Sequence, residues 1–124
     1  MKVCITSEGD NLDSRVDPHF GRCKNFIVAD CNTLNFEAVK NLHIESTGGA
    51  GIQSGQFIAE KKVKAILTGN VGPNAFQTLQ SAGIEVISGV SGTVKEAIEK
   101  YKKGTLKPDQ GPSVGSKFGV PPHK

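Results

Sequence analysis

The chain has no tryptophan, one tyrosine, one methionine and only three cysteines in 124 residues, and each scarcity removes a class of function. With so few aromatics there is no platform for base stacking. The fifteen Lys and Arg are spread along the chain, and the net charge is only +3, so no stripe tracks a phosphate backbone. Nucleic-acid binding is not expected. No apolar run approaches the roughly 20 residues needed to span a bilayer. Met1-Lys2-Val3-Cys4-Ile5 enters a strand with neither the apolar run nor the small-residue cleavage site of a secretory leader. The sequence therefore reads as cytoplasmic, with no membrane partner. Three cysteines, an odd number without such a leader, argue for reduced thiols, metal ligands or core packing and against a disulfide framework. Also missing are Gly-x-x-x-x-Gly-Lys-Ser/Thr, Gly-x-Gly-x-x-Gly, a nucleophile elbow and any Cys-His-Asn signature.

What is present is concentrated in one loop, Asp17-Pro18-His19-Phe20-Gly21-Arg22-Cys23-Lys24. It brings an imidazole and a thiol, both ligands for zinc, copper or iron, together with two cations. Arg22 and Lys24 should favour the Cys23 thiolate by their charge. Asp17-Pro18 biases the chain toward an extended turn, and Gly21 permits a backbone that a Cβ would resist. One His and one Cys fall short of the four ligands of a closed zinc site, so an open, labile or intermolecular site is expected. Glu8, Asp10, Asp13 and Asp17 lack the ordered spacing of a calcium loop and read as solvated turn formers. His43 and His123 have no partner in sequence and read as surface and tail residues.

The length suits a single core. Lys2 to Thr6 reads as a strand, and Ser7 to Lys24 as an unusually long polar loop of the kind that is usually functional. Asn25 to Ala29 and Leu34 to Ala38, joined by a turn at Asp30-Cys31-Asn32, form a hairpin. Helix and strand then alternate. A helix is predicted over Ile52 to Lys62 and a strand over Val63 to Thr68. A second helix starts at Gly72-Pro73 and ends at Gly83, with a strand over Ile84 to Ile87 after it. A last helix is capped by the Thr93/Glu96 box, with Val94, Ala97, Ile98 and Tyr101 on one face. Four of the six prolines lie beyond Gly104, which predicts a domain over 1–104 and a Pro/Gly-rich flexible tail over 105–124.

This order implies an α/β protein, a five-stranded mixed sheet in the order 3-2-1-4-5 with strand 2 antiparallel and helices on both faces, resembling ribonuclease H-like folds. Ligands of such sheets bind outside the carboxyl ends of the parallel strands. The His19 loop lies there, as do the loops carrying Gly69, Asn70 and Gly72, and Gly89; the loop with Gly49 and Gly51 should join them. Three helix N-termini would then face one cleft and favour an anion. Cys4, inside the central strand, reads as a small buried hydrophobe. Cys31, seven residues up the next strand at about 3.3 Å each, would be roughly 23 Å from Cys23 and could not share a small cofactor with it. The acids of the first loop are unmatched on other strands, as a two-metal nuclease would require. The chain reads as a binding protein and not an enzyme.

With the His-Phe-Gly-Arg turn, Gly48-Gly49-Ala50-Gly51, Thr68-Gly69-Asn70-Val71-Gly72-Pro73-Asn74-Ala75 and Gly83-Ile84-Glu85-Val86, in this order on this strand pattern, the sequence resembles the dinitrogenase iron-molybdenum cofactor biosynthesis family over about residues 1–104. That family includes NifX-like and NafY-like carriers and the C-terminal domain of NifB. The resemblance implies a ribonuclease H-like domain without nuclease activity. Such a domain would bind an iron-sulfur or iron-molybdenum type cluster, or its precursor, transiently and exchange it with a donor or recipient protein. The family's cofactor-binding histidine maps onto His19, with Phe20, Gly21, Arg22, Gly49, Gly51, Gly69, Asn70, Gly72 and Gly89 around it; Cys23 as a second metal ligand rests on local chemistry alone. A monomer or weak dimer is expected. The competing reading is a regulatory domain binding a small anion or nucleotide through the same glycine loops without metal; a divalent-metal hydrolase using Asp10 or Asp13 is a third.

Overall fold

A computed structural model describes residues 1–41, 50–106 and 108. Eight elements follow one another: β1 (Lys2–Ser7), β2 (Asn25–Asp30), β3 (Phe36–Lys40), α1 (Ala50–Glu60), β4 (Ala65–Leu67), α2 (Pro73–Ser81), β5 (Glu85–Ile87) and α3 (Val94–Lys102). They form a five-stranded sheet in the order β3-β2-β1-β4-β5. β1 pairs antiparallel to β2, and β2 to β3, whereas β1, β4 and β5 run parallel. The carboxyl ends of β1, β4 and β5 therefore share one edge.

Alternation along β1 divides the core between two faces. Cys4 joins Phe26, Val28, Ile66 and Val86 under Ile58 of α1 and Ala75, Phe76 and Leu79 of α2. Val3 and Ile5 join Ile27, Ala65, Leu67 and Ile87 under Val94, Ala97 and Ile98 of α3. Helices thus cover both faces, and each fully buried aliphatic or Phe side chain contributes roughly 1.5–3 kcal/mol by leaving water. Gly55 lets α1 approach α2, since a Cβ there would stand 3.0 Å from Thr78 Cγ2.

The fourth strand, Ala65–Leu67, is shorter than the Val63 to Thr68 expected, and two further elements differ from the sequence reading at their starts. The third strand starts at Phe36, and Leu34 sits in the preceding turn with φ +64°. The Asp30 carboxylate accepts the N–H groups of Asn32 (2.8 Å) and Thr33 (3.1 Å), and the Asp30 carbonyl accepts Leu34 N–H (2.9 Å). These bonds carry the turn two residues further than alternation suggested. The first helix starts at Ala50, so Gly51 lies inside it. His43, Gly48, Gly49 and His123 lie outside the described residues, as does the expected tail apart from 105, 106 and 108. No helix among the described residues is long and apolar enough to cross a membrane.

Candidate functional site

The loop after β1 is fastened at each step. Its first half, Glu8 to Val16, doubles back: Glu8 N–H donates to Arg15 O (3.0 Å), and Ser7 and Val16 form an antiparallel bridge. Its tip then lies over the start of α3. Val94 N–H donates to Ser14 O (2.8 Å), Lys95 N–H to Leu12 O (2.9 Å), and Glu96 N–H to the Thr93 hydroxyl (3.1 Å). Glu96 Oε1 in turn accepts Thr93 N–H (2.9 Å), completing the capping box. The first-turn N–H groups of α3 are thereby consumed, which corrects the expectation that three helix N-termini offer donors to a ligand. By contrast, α2 begins at Gly72 with no side-chain cap, and space is open where a Gly72 Cβ would stand.

The second half of the loop is pinned to β1 and to the β4–α2 connection. Asp17 N–H donates to Thr6 O (2.9 Å). The Thr6 hydroxyl reaches both Asp17 O and Thr68 Oγ1 at 2.7 Å. His19 and Asn70 form a parallel bridge in which Phe20 N–H donates to Asn70 O (3.1 Å), and Asn70 Nδ2 donates to Pro18 O (3.3 Å). Gly69 permits this approach, because a Cβ there would fall 2.6 Å from Pro18 Cα. Its own carbonyl accepts Gly89 N–H (2.8 Å), tying in the β5–α3 loop. Gly21 turns the chain with φ +92°, and buried Asn41 donates its side-chain amide to Gly21 O (3.0 Å) and Cys23 O (2.9 Å). Asn41 and Thr6 were not singled out from sequence. Their signal is a polar residue at a strand end, and only the folded chain shows what it binds.

His19 stands out from this frame. Its backbone N–H is fixed by Asp17 Oδ1 (3.0 Å), and its Nδ1 lies 3.6 Å from the same oxygen, yet the side chain is 69% exposed. Phe20 turns the other way, into the core beside Phe26, with ring centroids 6.0 Å apart. The structure thus brings His19, Gly69, Asn70 and Gly72 to one edge, with Arg22 exposed on the same loop. Gly89 is tied to it as a backbone joint.

Cys23 departs from the sequence reading. It is fully buried with Cys4 in the layer beneath α1 and α2. Burial pushes its thiol up to about 12, and the Asp17 carboxylate adds to the rise. Arg22 and Lys24 were expected to favour the thiolate, but both residues are exposed while the sulfur sits in an apolar layer where desolvation dominates. Cys4 is likewise pushed up by burial, and Cys31 lies in the opposite layer. No group of three or more His, Cys, Asp or Glu able to hold a metal ion occurs among the described residues.

The edge therefore offers one exposed imidazole on a fixed loop, the exposed Asn70 and a helix start at α2 without a side-chain cap, and the described residues close no coordination sphere around it. Comparison with known proteins bears on what such an edge serves. The chain is 39% identical to the apo form of the orange protein from Desulfovibrio gigas, with a TM-score of 0.89 over 91% of this chain and 96% of that one. It is 38% identical to a candidate NifB protein from Thermotoga, with a TM-score of 0.75 over 86% and 91% of the two chains. An uncharacterized protein of Methanocaldococcus jannaschii, MJ0580, is 31% identical over 86% of this chain and 89% of its own length. The model of the dinitrogenase iron-molybdenum cofactor family matches residues 1–104, and the chain belongs to that family.

Proposed function

We propose that this chain, a ribonuclease H-like domain, binds an iron-sulfur or iron-molybdenum type cluster, or its precursor, as cargo and passes it to a recipient protein without catalysing a reaction. The observation that carries the reading is the exposed imidazole of His19 on a loop whose backbone is bonded to Asp17 and Asn70. A preassembled cluster brings most of its own coordination with it. A carrier needs only a ligand or two that it can release, and a closed set of cysteines would hold the cargo too firmly to pass on. The residues fit such a loose attachment. His19 supplies the metal ligand, Asn70 and the first turn of α2 face the anionic periphery of the cluster, and Arg22 adds positive charge. Cys23, buried and protonated, is left out of the ligand set. Family membership and the likeness to a protein described as the apo form of an orange protein support a binding role.

Anaerobic incubation of the full chain with iron and sulfide tests the reading through visible absorption. Absorption that develops in the wild type and is lost in His19→Ala, with the thermal transition unchanged, is the expected result. Equal absorption in both proteins would remove His19 from the site. Stabilisation by phosphate ligands without metal would favour the anion-binding alternative.

A further inference from the structure

We propose that the opposite, amino edge of the sheet, built on Lys2, Lys62, Lys64 and Lys103, is a docking face for an acidic protein surface. The main chain places Lys2 and Lys64 side by side, with Lys62 two residues before Lys64. Lys64 N–H donates to Lys2 O (2.8 Å), and Glu85 N–H donates to Lys64 O (3.0 Å). The Tyr101 hydroxyl reaches Glu85 Oε1 (3.4 Å), which brings the end of α3 and Lys103 to the same edge. All four lysines are exposed, and none makes an ion pair with a described residue.

Three acids near this edge have other partners. Asp30, opposite Lys2 in the β1–β2 register, is 3.6 Å from the N-terminal ammonium and accepts two turn N–H groups. Glu37 is 3.6 Å from Lys61, whose ammonium also lies over the Phe57 ring. Glu85 accepts from Tyr101. The lysine charge is left to the solvent, or to a partner.

Lys62 supplies an independent sign that the charge is wanted. It follows α1 with φ +58°, a conformation in which glycine is the usual residue because a Cβ strains it. The chain accepts that strain and keeps an exposed ammonium at the helix end, which is the expectation for a side chain retained for contact rather than for backbone fit. The kind of partner follows from what accompanies the lysines. Exposed Glu60 and Glu99, two residues before Lys62 and four before Lys103, add negative charge beside them and would repel a continuous polyphosphate. Of the aromatics at this edge, Tyr101 has its hydroxyl on Glu85, and exposed Phe36 shares the cleft beside Lys2 with the Asp30 and Glu37 carboxylates, which disfavours a stacked, phosphate-bearing base there. A folded partner whose carboxylates are spaced among other groups fits both features.

The test is a titration of the isotopically labelled full chain with an oligoglutamate peptide, followed by amide chemical shifts, with a short DNA duplex and phosphatidylserine vesicles in parallel. The peptide should shift the amides of Lys2, Lys62, Lys64 and Lys103, leave those of His19 and Asn70 in place, and lose affinity with added salt. Lys62→Glu combined with Lys64→Glu should weaken binding by about tenfold or more. Lys62→Gly keeps the folded state observable: it should weaken binding while raising the thermal midpoint, because glycine relieves the strain. Absence of peptide shifts, shifts centred on the His19 loop, or tighter binding of the duplex or the vesicles at the same lysines would each overturn the proposal. Because the readout lies at the edge away from His19, its failure would leave the cluster reading untouched.

Discussion

At the scale of single residues, the carboxyl edge separates the side chain turned to solvent, His19, from the groups that hold its loop. His19 presents its ring outward, so His19→Ala should change stability by no more than about 0.5 kcal/mol, as for most exposed positions, while removing cluster-dependent colour. Gly69 behaves oppositely. Its missing Cβ is what admits Pro18, and Gly69→Ala should destabilise the fold by roughly 1–3 kcal/mol, the range for forced overpacking, as read by urea denaturation. Cys23 should resist iodoacetamide near pH 8 in the native protein and react after denaturation, since only the thiolate attacks. Rapid native alkylation would show that the thiol is reachable. The sequence made the exposure of His19 legible, since that residue stands in a turn between polar residues. It misled for Cys23 because the side chain's direction, inward against Cys4, Phe20 and Phe26, depends on a turn at Gly21 and on Asn41 far along the chain.

Among elements, α3 shows where local signals suffice and where they stop. The Thr93/Glu96 box was legible because both partners lie within one turn, and the structure forms both of its bonds. Thr93→Ala should cost about 1 kcal/mol, the usual loss for an N-cap, by thermal or urea unfolding. The Glu96 carboxyl is held below the usual carboxylate range chiefly by its bond from the Thr93 N–H, so its contribution is present at neutral pH and fades as the pH falls through that lowered range. What the sequence did not show is that Ser14 and Leu12 carbonyls close the remaining N–H groups of this helix. Those bonds link backbone atoms roughly eighty residues apart, and no side-chain pattern encodes them. Leu34 failed as a strand residue for the related reason that Asp30 extends the turn through its own carboxylate.

For the whole molecule, strand order was legible from the sequence of strands, hairpin and helices, because connection rules leave few arrangements. The shared carboxyl edge follows from it. The core also sets an alkaline limit. Cys23 and Cys4 titrate higher in the folded protein than in the unfolded chain because burial penalises the thiolate, and the Tyr101 hydroxyl is raised by the same cause. Below about pH 9, the ordinary thiol value, both states are protonated and this contribution is complete. Above it the unfolded chain loses protons that the folded chain keeps, so the urea midpoint should fall as pH rises from 9 toward 12. A midpoint unchanged across that interval would show that the buried thiols ionise as freely in the fold as out of it.

The central claim, that the His19 edge carries a metal cluster, is tested most directly by elemental and acid-labile sulfide analysis of the protein purified anaerobically from its own source, alongside His19→Ala expressed in the same cells. The account predicts iron or molybdenum together with sulfide in the wild-type protein and their loss from the variant. Wild-type protein free of metal and sulfide, or a variant that keeps the same content, would contradict it.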